Sequence, residues 1–89
     1  MKVIKRDRRT QDFDVDKIKI TLIRASEEAK APFNESDIEL ILKVIKKTIL
    51  NDFNGVVRSR EIRCIVLEEL RKLGFDNVAE LYNNYIKHH

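Results

Sequence analysis

The stretch Val3–Ile18, VIKRDRRTQDFDVDKI, decides how this chain folds. Val3-Ile4 is a β-branched pair flanked by charge, which suits a short strand. Asp7-Arg8-Arg9-Thr10 is polar and turn-like. Gln11 to Asp14 predicts a second short strand, with Phe13 alternating against Asp12 and Asp14 and so free to point inward. The two make a β-hairpin, although Asp7-Arg8 lacks the glycine that usually marks a tight turn. Asp14 is then a good N-cap for a helix from Val15 to Lys30, because its carboxylate can accept a free N–H of the first turn.

Working outward, the rest of the chain reads as helix after helix. Ile18, Leu22, Ala25 and Ala29 recur at helical spacing, and Ile20 and Ile23 widen that face toward a second neighbour. Ala31-Pro32-Phe33 closes this helix, since a residue before proline avoids the α region. Asn34 caps the next one, with Asp37 completing a capping box and Phe33 and Ile38 placed as a hydrophobic staple. Ile38, Ile41, Leu42, Ile45 and Ile49 form its apolar stripe, and Asn51 to Gly55 breaks it. Val56-Val57 reads as a third short strand or an extended link. Ser59 is expected to cap a third helix carrying Ile62, Ile65, Val66, Leu70 and Leu73, closed by Gly74. Asp76 or Asn77 caps a fourth, whose face is Val78, Leu81, Tyr82, Tyr85 and Ile86. The fold class is therefore mostly α: a four-helix bundle capped by a small sheet of two or three strands.

Composition agrees and excludes much. The chain has 89 residues, 43% hydrophobic and 37% charged, with one cysteine, two glycines and one proline. That is one domain with one core, here residues 1–87, with His88-His89 read as a tail or the remnant of a purification tag. No apolar run approaches the roughly 20 residues that span a bilayer, and no apolar segment follows the start as in a signal peptide. No membrane partner and a cytoplasmic location are the expectation. A lone Cys64 cannot form an internal disulfide or a CxxC metal site, and it is expected to act as a small buried hydrophobe. Phosphate-binding glycine loops and metal-binding H-E-x-x-H are absent, and both histidines stand at the terminus, so no enzyme and no protein-held metal are expected.

Charge is uneven. The net charge is +3, but up to Arg24 there are eight Lys or Arg against four Asp. A basic cluster of this kind suits an anionic partner. Lys5 on the first strand and Lys17 in the first turn of a helix can face one phosphate site, beside the free N–H groups of the helix start. The plainer reading is a basic hairpin anchored by Phe13. A third reading is a small nucleic-acid-binding module that uses the hairpin. A nucleotide pocket needs Lys5, Lys17 and Arg63 to converge, whereas a nucleic-acid surface needs the cations spread along one face.

The pattern V-x-K-R-D, then F-D-x-x-K-I, at the head of about 90 residues resembles the ATP-cone, the regulatory nucleotide-binding domain of ribonucleotide reductases and of a related repressor. Val57-Arg58-Ser59-Arg60-Glu61-Ile62 and the closing Leu81-Tyr82-x-x-Tyr85-x-Lys87 extend the resemblance over nearly the whole chain. It implies the bundle-and-cap fold and binding of ATP or dATP, with magnesium, between cap and helices. By the same resemblance Val3, Lys5 and Arg6 contact base and phosphates, as do Asp14, Lys17 and Ile18 at the helix start. Gln11, Ser59, Arg63 and Lys87 match further polar or basic contacts. A triphosphate of roughly −4 charge needs several such cations and donors. The implied role is regulatory: the N-terminal allosteric domain of a ribonucleotide reductase or a stand-alone relative. Its partners would be the adenine nucleotide and either a second copy or a catalytic domain or subunit, with nucleic acid not expected. One departure stands out. The family usually has glycine after K-R-D, where this chain has Arg8.

Overall fold

The computed structural model describes residues 1–87; His88, His89 and the side chain of Lys87 lie outside that description. The element order is β1 (Lys2–Ile4), β2 (Thr10–Asp12), α1 (Val15–Glu28), α2 (Glu35–Phe53), β3 (Val56–Arg58), α3 (Ser59–Lys72) and α4 (Asp76–Lys87). The three strands form one sheet in the order β2-β1-β3. β1 runs antiparallel to β2, with Val3 opposite Gln11, and parallel to β3, with Val3 opposite Val57. The hairpin is thus present, and Val56-Val57 is a strand rather than a link.

The hairpin turn solves the missing glycine in a specific way. The Lys5 N–H donates to the Arg9 carbonyl at 2.7 Å and the Arg8 N–H donates to the Lys5 carbonyl at 2.9 Å. Arg6, Asp7 and Arg8 therefore form a three-residue loop, a β-turn followed by one left-handed residue. That residue is Arg8, with φ of 70°. Left-handed backbone costs a residue with a Cβ about 1–2 kcal/mol. The Asp7 carboxylate offsets part of this by accepting the Arg9 N–H at 3.2 Å, which braces the turn from within. β2 runs from Thr10 to Asp12, earlier than Gln11–Asp14, because Asp14 is recruited to cap α1 and accepts the Lys17 N–H at 3.2 Å.

Helix ends follow local chemistry with three revisions. α1 stops at Glu28 rather than Lys30, because Lys30 adopts a left-handed φ of 58°. Its N–H donates to the Glu27 carbonyl and the Ala31 N–H to the Ser26 carbonyl, a paired closure complete before Pro32. α2 starts as expected: the Asn34 side chain accepts the Asp37 N–H at 2.7 Å, and Asp37 accepts the Asn34 N–H at 3.3 Å. Ser59 does not cap α3. Arg58 holds the cap position, Glu61 accepts its N–H at 3.2 Å, and the Ser59 hydroxyl instead donates to the Ile4 carbonyl at 3.2 Å. Neither Asp76 nor Asn77 caps α4, since both are already helical and the Phe75 carbonyl accepts the first bond, from Ala79.

The helices pack α1 on α2 and α4, and α3 on α2 and α4, while β3 rests on α2 and α3. Leu22, Ala25, Ile41, Ile45, Ile49, Val66 and Leu70 are fully buried between them. Each large aliphatic side chain so buried contributes roughly 1.5–3 kcal/mol. The sheet joins this core through Val3 and Val57. Phe33 and Phe75 meet edge to face, ring centres 4.7 Å apart, and tie the α1–α2 and α3–α4 connections together. Ser26, buried and polar, is satisfied: its hydroxyl donates to the Ile23 carbonyl and accepts the Phe33 N–H.

Apolar spacing overstated some faces. Ile20 is 58% exposed, and Leu73 and Ile86 are also exposed, but Ile23 packs against the core and α1 does meet two neighbours, α2 and α4. Cys64 is exposed rather than buried. It stands two residues from Ile62 and from Val66, about 200° around the helix from each, and so points away from the stripe they share.

Candidate functional site

The sheet has two ends with different chemistry. At one end, Lys2 lies opposite Asp12 and Val56, and Phe13-Asp14 leads into α1. Lys2 and Asp12 form a salt bridge there, and the bonded lysine holds the Asp12 carboxyl below the usual carboxylate range. At the other end, Ile4 lies between Thr10 and Arg58, followed by Lys5 and the hairpin loop. The Ser59 hydroxyl on the Ile4 carbonyl pins the start of α3 to this end, next to Lys5.

Of the residues implied by resemblance, Val3 is buried in β1 and Ile18 is half-buried against the core, so both can offer apolar walls. Lys5 is half-buried; Arg6, Gln11 and Lys17 are exposed. Among the described residues two salt bridges form, Lys2–Asp12 and Arg9–Asp7, and neither uses Lys5, Arg6, Lys17 or Arg63. Those four cations remain available to an anion. Asp14 is occupied as the cap of α1. Lys17 enters from the α1 end of the sheet and Lys5 from the α3 end, about three strand residues or roughly 10 Å apart along β1.

Arg63 sits elsewhere on α3. It lines a surface hollow of about 390 Å³ between α2 and α3, with Thr48, Phe53, Arg60 and Cys64 among its neighbours. A second hollow of about 380 Å³, lined by Ala29, Asn77, Glu80, Leu81 and Asn84, contains none of the nine whose side chains are described. Lys87 is the last residue of α4, and its side chain lies outside the described residues. Sequence reasoning passed over Arg58 and Arg60, which the parallel β1–β3 pairing brings to the Lys5 end of the sheet. The signal was present in Val57-Arg58-Ser59-Arg60, of which the resemblance marked only Ser59 as a contact.

Four helices and a three-stranded sheet, with free cations around two helix starts, make a mostly helical domain whose helix ends suit an anion. Residues 1–89 match the family described as the ATP cone domain, and the chain belongs to that family. Members of this family bind ATP or dATP in general. Two curated relatives are similar along most of the chain. A protein named Transcriptional repressor NrdR from Caldicellulosiruptor saccharolyticus is 37% identical over 86 residues, covering 93% of this chain and 55% of the relative. A protein of the same name from Caldicellulosiruptor bescii is 35% identical over 86 residues, with the same coverage. The chain thus spans about half the length of the curated relatives it matches. Neither relative is named as a reductase. Among the described residues no helix is long and apolar enough to cross a membrane.

Proposed function

We propose that the chain is a regulatory module that binds ATP or dATP without hydrolysing it, and that occupancy changes its contacts with a second copy or with a partner domain. The four helices would act as one bundle beneath the sheet. The observation that carries the reading is the Ser59–Ile4 bond, which fastens the start of α3 beside Lys5, where Lys5 and Arg6 make no ion pair; Lys17, also unpaired, stands at the start of α1. A cation beside the N–H groups of a helix start favours phosphates. An extended nucleoside triphosphate is longer than the roughly 10 Å between the two ends of β1. Its phosphates and its base can therefore engage different ends, with Val3 and Ile18 as apolar walls and Gln11, Asp14, Arg63 and Lys87 as outer contacts. Among the described residues no three potential metal ligands cluster, so magnesium would arrive bound to phosphate oxygens.

The relatives named as repressors favour a transcriptional regulator as the parent chain over the N-terminal domain of a ribonucleotide reductase. Any such role requires the nucleotide to bind two association states with different affinity. Calorimetric titration with ATP, dATP and GTP, with and without magnesium, tests the reading. Lys5→Ala or Lys17→Ala should weaken binding by about 1.5–3 kcal/mol, the scale of a charge-assisted hydrogen bond, and leave the fold intact. Parent-like affinity in both variants would refute the assigned phosphate contacts. Phosphate release above background from ATP would refute binding without turnover.

A further inference from the structure

We propose that the hairpin tip and the start of α3 form a second anion surface, one that holds the phosphate backbone of a nucleic-acid duplex. Four arginines carry it, Arg8, Arg9, Arg58 and Arg60, and none belongs to the nucleotide contacts assigned above. All four are exposed. The sheet gathers them: Thr10, Ile4 and Arg58 lie side by side across its end, so Arg9 and Arg58 flank a row of three strands about 10 Å wide. Arg60 follows in the first turn of α3, which the Ser59 hydroxyl holds against Ile4.

The strained residue is itself informative. Arg8 occupies a left-handed position, φ 70°, that glycine would adopt without cost. Strain that persists at an exposed tip points to a use for the side chain. Here the side chain is an exposed guanidinium on the hairpin loop. Guanidinium forks match phosphate oxygens better than ammonium groups do. Charge is partly offset: Asp7 pairs with Arg9 at 2.5 Å and Glu61 accepts the Arg58 backbone N–H, while Arg8, Arg58 and Arg60 make no ion pair.

The shape selects the ligand. These cations spread along the end of the sheet and the start of α3; of the four, Arg60 alone lines one of the two hollows described above. That suits a backbone rather than a mononucleotide. No exposed aromatic ring or large exposed aliphatic side chain occurs on the loop or in the first turn of α3, so neither stacked single-strand bases nor an apolar peptide anchor has a platform there. Duplex DNA presents one charge per roughly 1.7 Å of its axis, which supplies several phosphates across 10 Å.

The test is fluorescence anisotropy of the 89-residue chain with a labelled DNA duplex of arbitrary sequence, over a series of salt concentrations. Binding should weaken as salt rises, with a log–log slope of about −3. Arg8→Gly should cost about three- to tenfold in affinity and reduce the slope by about one, as should Arg58→Ala. Arg8→Gly relieves backbone strain, so its loss of binding cannot be assigned to unfolding, and a melting curve confirms this. ATP titration into the same variant separates the two surfaces: ATP affinity should be retained. Absence of duplex binding at low salt overturns the proposal, and so does parent-like binding by both variants. Equal competition by polyglutamate would assign the surface to acidic proteins instead, and joint loss of ATP and duplex binding in Arg8→Gly would reduce the two surfaces to one.

Discussion

The helical layer and the three-stranded sheet are held by different means. Each helix buries a stripe of aliphatic side chains, and Leu22, Ile41, Ile45, Ile49, Val66 and Leu70 have no exposed surface. Of the nine strand residues, only Val3 and Val57 are buried. The sheet depends on a few specific bonds: Lys2 N–H to the Gly55 carbonyl, Phe13 N–H to the Met1 carbonyl, and the Ser59 hydroxyl to the Ile4 carbonyl. Stability therefore resides in the helices, while Lys5, Arg6, Arg8 and Arg58, all without ion pairs, stand on or beside the sheet. Elements with few buried contacts open at lower free energy than the core, and ligand-binding parts are often drawn from them. The lightly anchored sheet is the part a ligand can reorder at small cost.

The largest test of this contrast lies in the helices. Ile45 is fully buried in α2, so Ile45→Ala should cost about 2–5 kcal/mol in denaturant unfolding. For a domain stabilised by about 5–15 kcal/mol in all, that is a substantial share. Lys46→Ala, next to it but exposed, should stay within about 0.5 kcal/mol. Similar losses from both would mean the α2 stripe is not the core.

Tyr82 extends the test to α4 through pH. Burial pushes its phenol from the ordinary 10 up to about 12. Between those values the unfolded chain has released the proton and the folded chain still holds it. Stability should therefore be intact below pH 10 and fall as pH rises toward 12, by roughly 2–3 kcal/mol in full. Tyr82→Phe should remove that part of the alkaline decline. Phenolate absorbance in a Tyr85→Phe background, where Tyr82 is the one tyrosine left, checks the titration directly.

Ser59→Ala acts on the sheet instead. Losing the bond to Ile4 should cost about 0.5–1.5 kcal/mol. Amide exchange should locate the loss: the Lys5 and Arg8 N–H groups should exchange faster, while those around Ile45 change little. Uniform acceleration across the chain would mean that sheet and helices open as one unit.

The same division explains what the sequence made legible. Helix stripes repeat every three or four residues, so α2 and its Asn34–Asp37 cap could be read locally. The parallel pairing of Val3 with Val57 joins segments 54 residues apart, and a three-residue strand carries no local mark of its partner. That pairing is why Arg58 and Arg60 were missed. One further difference has its own cause. Lys30 is left-handed without being glycine, and a helix end is hard to read when the residue type argues against the conformation, whereas Arg8 takes the same conformation where the missing glycine was already noted. At Gly74, where α3 closes by the same bonding pattern that closes α1 at Lys30, glycine made the helix end plain. Resemblance pointed to Lys5, Arg6 and Lys17, which make no ion pair, but it carried no information on which end of the sheet each would enter.

The smallest expected effect concerns the quieter end of the sheet. Asp12 is exposed, and its carboxyl is held below 3.8 chiefly by its hydrogen bond to Lys2 and then by the lysine's charge. A carboxyl depressed in the folded state contributes stability above its unfolded value and loses it as pH falls through its folded value. The acid limb contributed by this pair should therefore begin below about pH 4 and be slight, because exposed pairs are screened by water and salt. NMR titration of the Asp12 side chain reads this without needing a stability change. The midpoint should lie below the ordinary aspartate value, return toward it in Lys2→Ala, and move toward it in the parent as salt is added. An Asp12 midpoint unchanged by Lys2→Ala would dissolve the pair. Lys2 would then be a further free cation, and the two ends of the sheet would no longer differ in kind.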